Sequence, residues 1–99
     1  MMDIYPDELI ERMAKKEPLN IIDVREDWEY EERNLGGKLI PLSTLPHRLD
    51  ELESIKGHEI IIHCRSGARS NNAKQFLSSK GFSQVRNLIG GIEAIPENQ

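Results

Sequence analysis

The sequence predicts an α/β domain in which a small open parallel sheet of about five strands carries helices on both faces. Two observations predict it. Short apolar runs rich in Ile, Leu and Val alternate along the chain with segments in which apolar residues recur at helical spacing. The clearest of these runs, 59–64, is apolar over most of its length, as a strand covered on both faces must be. At 99 residues the chain has room for one core and one domain, spanning 1–99.

The elements follow in order. Pro6 to Ala14 reads as a helix: Pro6 suits the first helical position, Asp7 and Glu8 suit the positive end of the dipole, and Leu9, Ile10, Met13 and Ala14 share a face. Leu19 to Val24 is a short buried strand. Asp27 then stands as the cap of a short helix through Trp28 and Tyr30, broken by Gly36-Gly37. Lys38 to Leu42 offers another strand, and Leu45, Leu49, Leu52 and Ile55 fall at helical spacing up to Gly57. After the strand 59–64 comes a helix with Ala73, Phe76 and Leu77 on one side. It closes at Lys80-Gly81, with Phe82 placed to pack back on its last turn. Val85 to Ile89 is the last strand, and Gly90-Gly91 turns the chain into a short tail.

Composition narrows the function classes. Hydrophobic residues make up 37% and charged residues 30%, the balance of a soluble globular protein. No apolar run approaches the roughly 20 residues of a spanning helix, and no basic-then-apolar leader opens the chain, so cytoplasm is the default expectation. A net charge of −4, with acids crowded between Asp3 and Glu32, argues against nucleic acid as a partner. The single cysteine forms no internal disulfide, and His47, His58 and His63 have no metal-ligand spacing with it or one another. No metal and no cofactor are expected, and a monomer is the default.

A lone cysteine is ordinarily a small buried hydrophobe. Cys64, however, ends the clearest strand, and in a parallel α/β sheet ligands bind beyond the carboxyl ends of the strands. From there Arg65, Ser66, Gly67, Ala68, Arg69 and Ser70 lead straight into a helix. Such a loop aims free backbone N–H groups at one spot and forms an anion nest. Gly67 permits the left-handed backbone a nest requires. Arg65 and Arg69 add positive charge at the rim, so the thiol is expected to ionise easily, with the loop itself activating the sulfur. His63 alternates to the opposite face of the strand and reads as a packing residue; His47 and His58 read as surface residues.

Cys64-Arg65-Ser66-Gly67-Ala68-Arg69-Ser70 resembles the active-site loop of the rhodanese family. Ile21-Ile22-Asp23-Val24-Arg25-Glu26 is similar to that family's strand ending in Asp-Val-Arg, and Asn87-Leu88-Ile89-Gly90-Gly91-Ile92-Glu93-Ala94 to its closing segment. The resemblance implies a sulfurtransferase. Its Cys64 takes sulfane sulfur from a small anionic donor such as thiosulfate, or from a protein persulfide, holds it as a persulfide, and passes it to cyanide or a thiol. It also implies that residues 65–70 bind the donor and steady the persulfide, and that Asp23 supports the site by holding strand ends or an arginine in place.

Two rival readings remain beside it: an idle binding module, and a phosphatase-like or redox-sensing cysteine. Related phosphatases place five residues between cysteine and arginine, whereas four separate Cys64 from Arg69 here, a shorter loop that suits a sulfur atom. A redox sensor would need an external thiol to resolve it. The chain departs from the family pattern at Asn34 to Lys38 and at Ile95, where a tryptophan is common. A short or absent terminal helix is therefore expected, leaving one side of the site open to a protein-borne donor or acceptor.

Overall fold

The computed structural model describes residues 2–97; residues 1, 98 and 99 of the expected domain lie outside the described residues. Its parallel sheet contains β1 (Ile21–Asp23), β2 (Lys38–Leu39), β3 (Ile60–His63) and β4 (Val85–Asn87) in the order β2-β1-β3-β4. The sheet thus has four strands rather than about five. At its edge, Ile4 makes an isolated parallel bridge to Leu88. The Ile4 N–H donates to Asn87 O at 3.0 Å and Ile89 N–H donates to Ile4 O at 2.9 Å. Pro6 then starts a helix, so this pairing never extends into a strand.

The three α-helices are α1 (Pro6–Ala14), α2 (Asp27–Glu32) and α3 (Ala68–Ser79). The first agrees with its sequence reading. The second starts one residue earlier than expected: Glu26, not Asp27, is its cap, in a capping box where Glu26 N–H donates to Glu29 Oε1 at 3.0 Å. The Leu45 to Ile55 stretch is two 3-10 helices, Leu42–His47 and Leu49–Ile55, instead of one helix. Pro46, which has no N–H to donate, sits inside the first of them. Leu45 and Leu52 are nonetheless fully buried, so the apolar pattern located the core face correctly.

Side-chain alternation along β3 divides the core into two layers. Ile60, Ile62 and Cys64 join Ile22, Val24, Ala73, Leu77, Phe82 and Val85 on one face. Ile61 joins Ile4, Leu9, Leu88 and Ile95 on the other. Helices therefore cover both faces, as predicted. Phe82 closes α3 as expected: its N–H donates to Leu77 O at 3.1 Å, and Gly81 takes the positive φ of 92° at the turn. Among the described residues no helix is long and apolar enough to cross a membrane.

Candidate active site

The chain leaves β1 toward β2 on one side, whereas β3 is followed by β4 on the other. The order therefore reverses direction between β1 and β3, the switch point at whose carboxyl edge parallel α/β sheets bind ligands. Cys64 stands at that point, directly after β3, and is only 1% exposed. Gly67 caps α3 with φ 119° and ψ −18°, the left-handed backbone expected of it. A Cβ there would meet nothing closer than Asn87 Nδ2 at 4.0 Å, so backbone conformation, not crowding, favours glycine.

The sulfur is held by donors. Gly67 N–H donates to Cys64 Sγ at 3.1 Å, Ser70 N–H at 3.3 Å and the Ser70 hydroxyl at 3.3 Å. Burial pushes the thiol pKa up, but hydrogen bonds from the Ser70 hydroxyl and the Ser70, Gly67 and Ser66 N–H groups outweigh it, and the net shift is downward. Alkylation of Cys64 by iodoacetamide should therefore reach half its plateau at a pH below the ~8.5 of a free thiol. Ser70→Ala should move that midpoint upward; an unchanged midpoint would show that the hydroxyl does not act on the sulfur.

The loop keeps its N–H groups on the sulfur because its carbonyls are anchored elsewhere. Ile92 N–H donates to Cys64 O at 3.0 Å and Glu93 N–H to Arg65 O at 3.1 Å. These donors belong to a terminal 3-10 turn, Ile92–Ala94, the short remnant expected of the tail. Arg33 clamps this turn from outside, donating to Ile92 O at 3.2 Å, Ile95 O at 2.5 Å and Pro96 O at 2.9 Å. Arg33 is itself placed through Arg25, whose guanidinium donates to Arg33 O at 2.6 Å. Asp23, wholly buried, grips Arg25 with contacts of 3.0 Å to Nε and 2.8 Å to Nη2. A continuous polar chain thus runs from Asp23 to the backbone of Cys64.

The two loop arginines are not free. Arg69 makes a two-pronged pair with Glu29, Nη1 to Oε1 at 2.7 Å and Nη2 to Oε2 at 2.9 Å. The Arg69 bond, against a smaller opposing effect of burial, draws the Glu29 carboxyl down to about 2, so it is ionised at neutral pH. Arg65 pairs with Glu93 at 3.1 Å, both side chains being well exposed. Ser66 and Ala68 are exposed, and Ser70 is buried.

His63 is buried on the opposite face, with Nε2 3.7 Å from Asp23 Oδ2 and burial lowering its pKa. His47 and His58 are exposed. Among the described residues no three or more His, Cys, Asp or Glu side chains cluster as metal ligands do. A pocket of about 220 Å³ lined by Leu19, Asn20, Gly36, Gly37, Lys38 and Ile55 lies at the start of β1 and β2, at the far edge of the sheet.

Glu29, Arg33 and Asn87 went unassigned in the sequence. Glu29 was legible in principle, as the third residue of a capping box begun by Glu26. Asn87 Oδ1 lies 2.6 Å from the Ser70 hydroxyl and shares that hydroxyl's single proton with Cys64 Sγ, while Asn87 Nδ2 donates to Gly67 O at 3.3 Å, links that no local pattern announces.

Parallel α/β proteins that present a cysteine in the N–H cradle of a strand–loop–helix form the class to which this architecture points. Within that class, the family model described as "Rhodanese-like domain" matches residues 5–98, and the chain belongs to the rhodanese-like domain family. A protein named "Sulfurtransferase" from Allochromatium vinosum is 34% identical over 93 residues, 93% of this chain and 85% of that protein. The putative sulfur carrier protein YrkF of Bacillus subtilis is 39% identical over 83 residues, 83% of this chain but only 44% of that longer protein. Among solved structures, a rhodanese-like domain protein from Staphylococcus aureus superposes with a TM-score of 0.82 at 33% identity, covering 98% of this chain and 93% of that one. Rhodanese-type sulfur transfer is the chemistry these relationships support.

Proposed function

We propose that the protein is a sulfurtransferase that carries sulfane sulfur as a persulfide on Cys64. The observation that carries this reading is the cradle of Gly67 N–H, Ser70 N–H and Ser70 hydroxyl around one nearly buried sulfur. Donors so placed lower the barrier to forming an anionic sulfur and then steady the charge of the outer sulfur it acquires.

The Cys64 thiolate attacks the outer sulfur of thiosulfate or of a persulfide donor. The new S–S bond forms as the donor's own S–S bond breaks, and sulfite or the donor's thiolate leaves with the electron pair. A nucleophile, cyanide or a thiolate, next attacks the outer sulfur and departs with it, returning Cys64 as thiolate. In this scheme residues 65–70 supply the cradle and its rim, and Asp23 is a positioning residue acting through Arg25, Arg33 and the terminal turn. A reducing compartment such as the cytoplasm keeps the lone thiol available.

Intact-mass measurement tests the scheme. After incubation with a sulfane donor, thiosulfate or a small persulfide, the protein should gain the mass of one sulfur. Cyanide should remove that mass with release of thiocyanate. Protein alkylated beforehand with iodoacetamide should gain nothing. Absence of the adduct with every donor overturns the proposal.

A further inference from the structure

We infer that the site selects its sulfur donor by charge, and that it takes a persulfide carried on a cationic body in preference to an anionic donor. The inference rests on the persulfide reading above and deepens it.

Its basis is the charge balance around the loop. A donor-binding arginine should offer uncompensated positive charge, yet Arg69 spends both terminal nitrogens on Glu29, whose side chain is only 8% exposed. Glu29 is fixed from a second side by the Glu26 N–H at 3.0 Å, so the carboxylate cannot swing away without breaking the cap of α2. Arg65 is matched by Glu93. Each loop cation therefore has its own carboxylate. Among the described residues Arg33 donates only to backbone carbonyls of the terminal turn, and its single positive charge is outnumbered by the carboxylates of α2 and its cap. Glu26 adds its field to Arg69 from the start of α2. Asp27, Glu31 and Glu32 are exposed along the same short helix.

The cradle itself receives only the outer sulfur, through N–H groups that serve any donor alike. The remainder of the donor meets the rim. The sulfonate end of the thiosulfate dianion is disfavoured there, whereas ammonium or guanidinium groups are attracted. A protein cysteine persulfide flanked by Lys or Arg has this chemistry. The step balances: the Cys64 thiolate takes the terminal S–H sulfur of R–S–S–H, and R–S⁻ leaves with the electron pair.

Two small persulfides of opposite charge, 2-aminoethyl persulfide and 2-carboxyethyl persulfide, test the inference when Cys64 loading is timed by intact mass. Added salt should slow loading from the cationic donor and speed it from the anionic one. Glu29→Gln retains the cap acceptor and removes the charge. It should slow the cationic donor and speed the anionic one by up to about fivefold each, the effect of one unit charge at about 4 Å in water, and so lower the ratio of their loading rates by up to about 25-fold. Asp27→Asn, which touches none of the sulfur's donors, should lower the ratio in the same direction but by less. Each donor is its own reference, so differences in leaving-group reactivity cancel. Salt effects of the same sign for both donors, or an unchanged ratio in both variants while Cys64 still loads, would overturn the charge selection. Loading by neither donor would instead overturn the persulfide reading beneath it.

Discussion

Replacing Cys64 with serine is expected to reduce sulfur transfer to the uncatalysed background while leaving the fold nearly intact. A serine oxygen occupies the same cradle and can accept the same Gly67 and Ser70 N–H groups, so no buried donor is orphaned. Oxygen is smaller than sulfur, and the poorer packing beside Ala73 should remove about 1 kcal/mol of stability. A hydroxyl in that cradle remains protonated at neutral pH, and it forms no persulfide analogue. Because Cys64 is the single cysteine, the variant also offers no other thiol to acquire sulfur. Intact mass, transfer rate and unfolding midpoint measured on the same preparation separate the outcomes. Transfer that survives in a folded Cys64→Ser protein would move the chemistry off this residue altogether. A variant that loses transfer only because it unfolds would show as a collapsed midpoint.

The parts of this site that were legible in the sequence are those built from neighbouring residues. A buried strand, a cysteine at its end, a glycine and a helix start within seven residues dictate the cradle, because the geometry is local. The alternation that placed His63 opposite Cys64 is also local. Arg69 shows where local reading stops. Its position in the loop was correct, but a partner 40 residues earlier in the chain decides its net charge. The same holds for Asp23. The resemblance implies a supporting role for it, but the contacts through Arg25, Arg33 and the terminal turn appear only when segments far apart in sequence meet. The strand count, four against about five, and the single helix over 45–55 differ from expectation for a related reason. Apolar spacing identifies which residues are buried, but one bridge beside Pro6 and one proline at 46 decide the backbone that buries them.

Gly91→Ala should be the most damaging change outside the cradle, because it strikes the turn that anchors the loop. Gly91 adopts φ 66° with ψ −167°, a region in which L side chains are strained by about 1–3 kcal/mol. A Cβ built there would lie 2.3 Å from Arg65 O and 2.6 Å from Ser66 N, inside the backbone of the active-site loop. Neither neighbour is a flexible side chain, so the turn and the loop must move apart. That separation strains the bonds from Ile92 N–H to Cys64 O and from Glu93 N–H to Arg65 O, which hold the loop carbonyls away from the sulfur. The summed effect of conformational strain and overpacking is about 3 kcal/mol of stability. Transfer should fall about 100-fold even where the protein remains folded, the usual consequence of displacing a donor from a developing anion. Gly36→Ala is the control. Its φ of 82° also favours glycine, but a Cβ there meets nothing within 4 Å. It should therefore show backbone strain alone and transfer sulfur at the rate of the parent protein. Equal losses of transfer in the two variants would mean that the Gly91 contact does not shape the cradle.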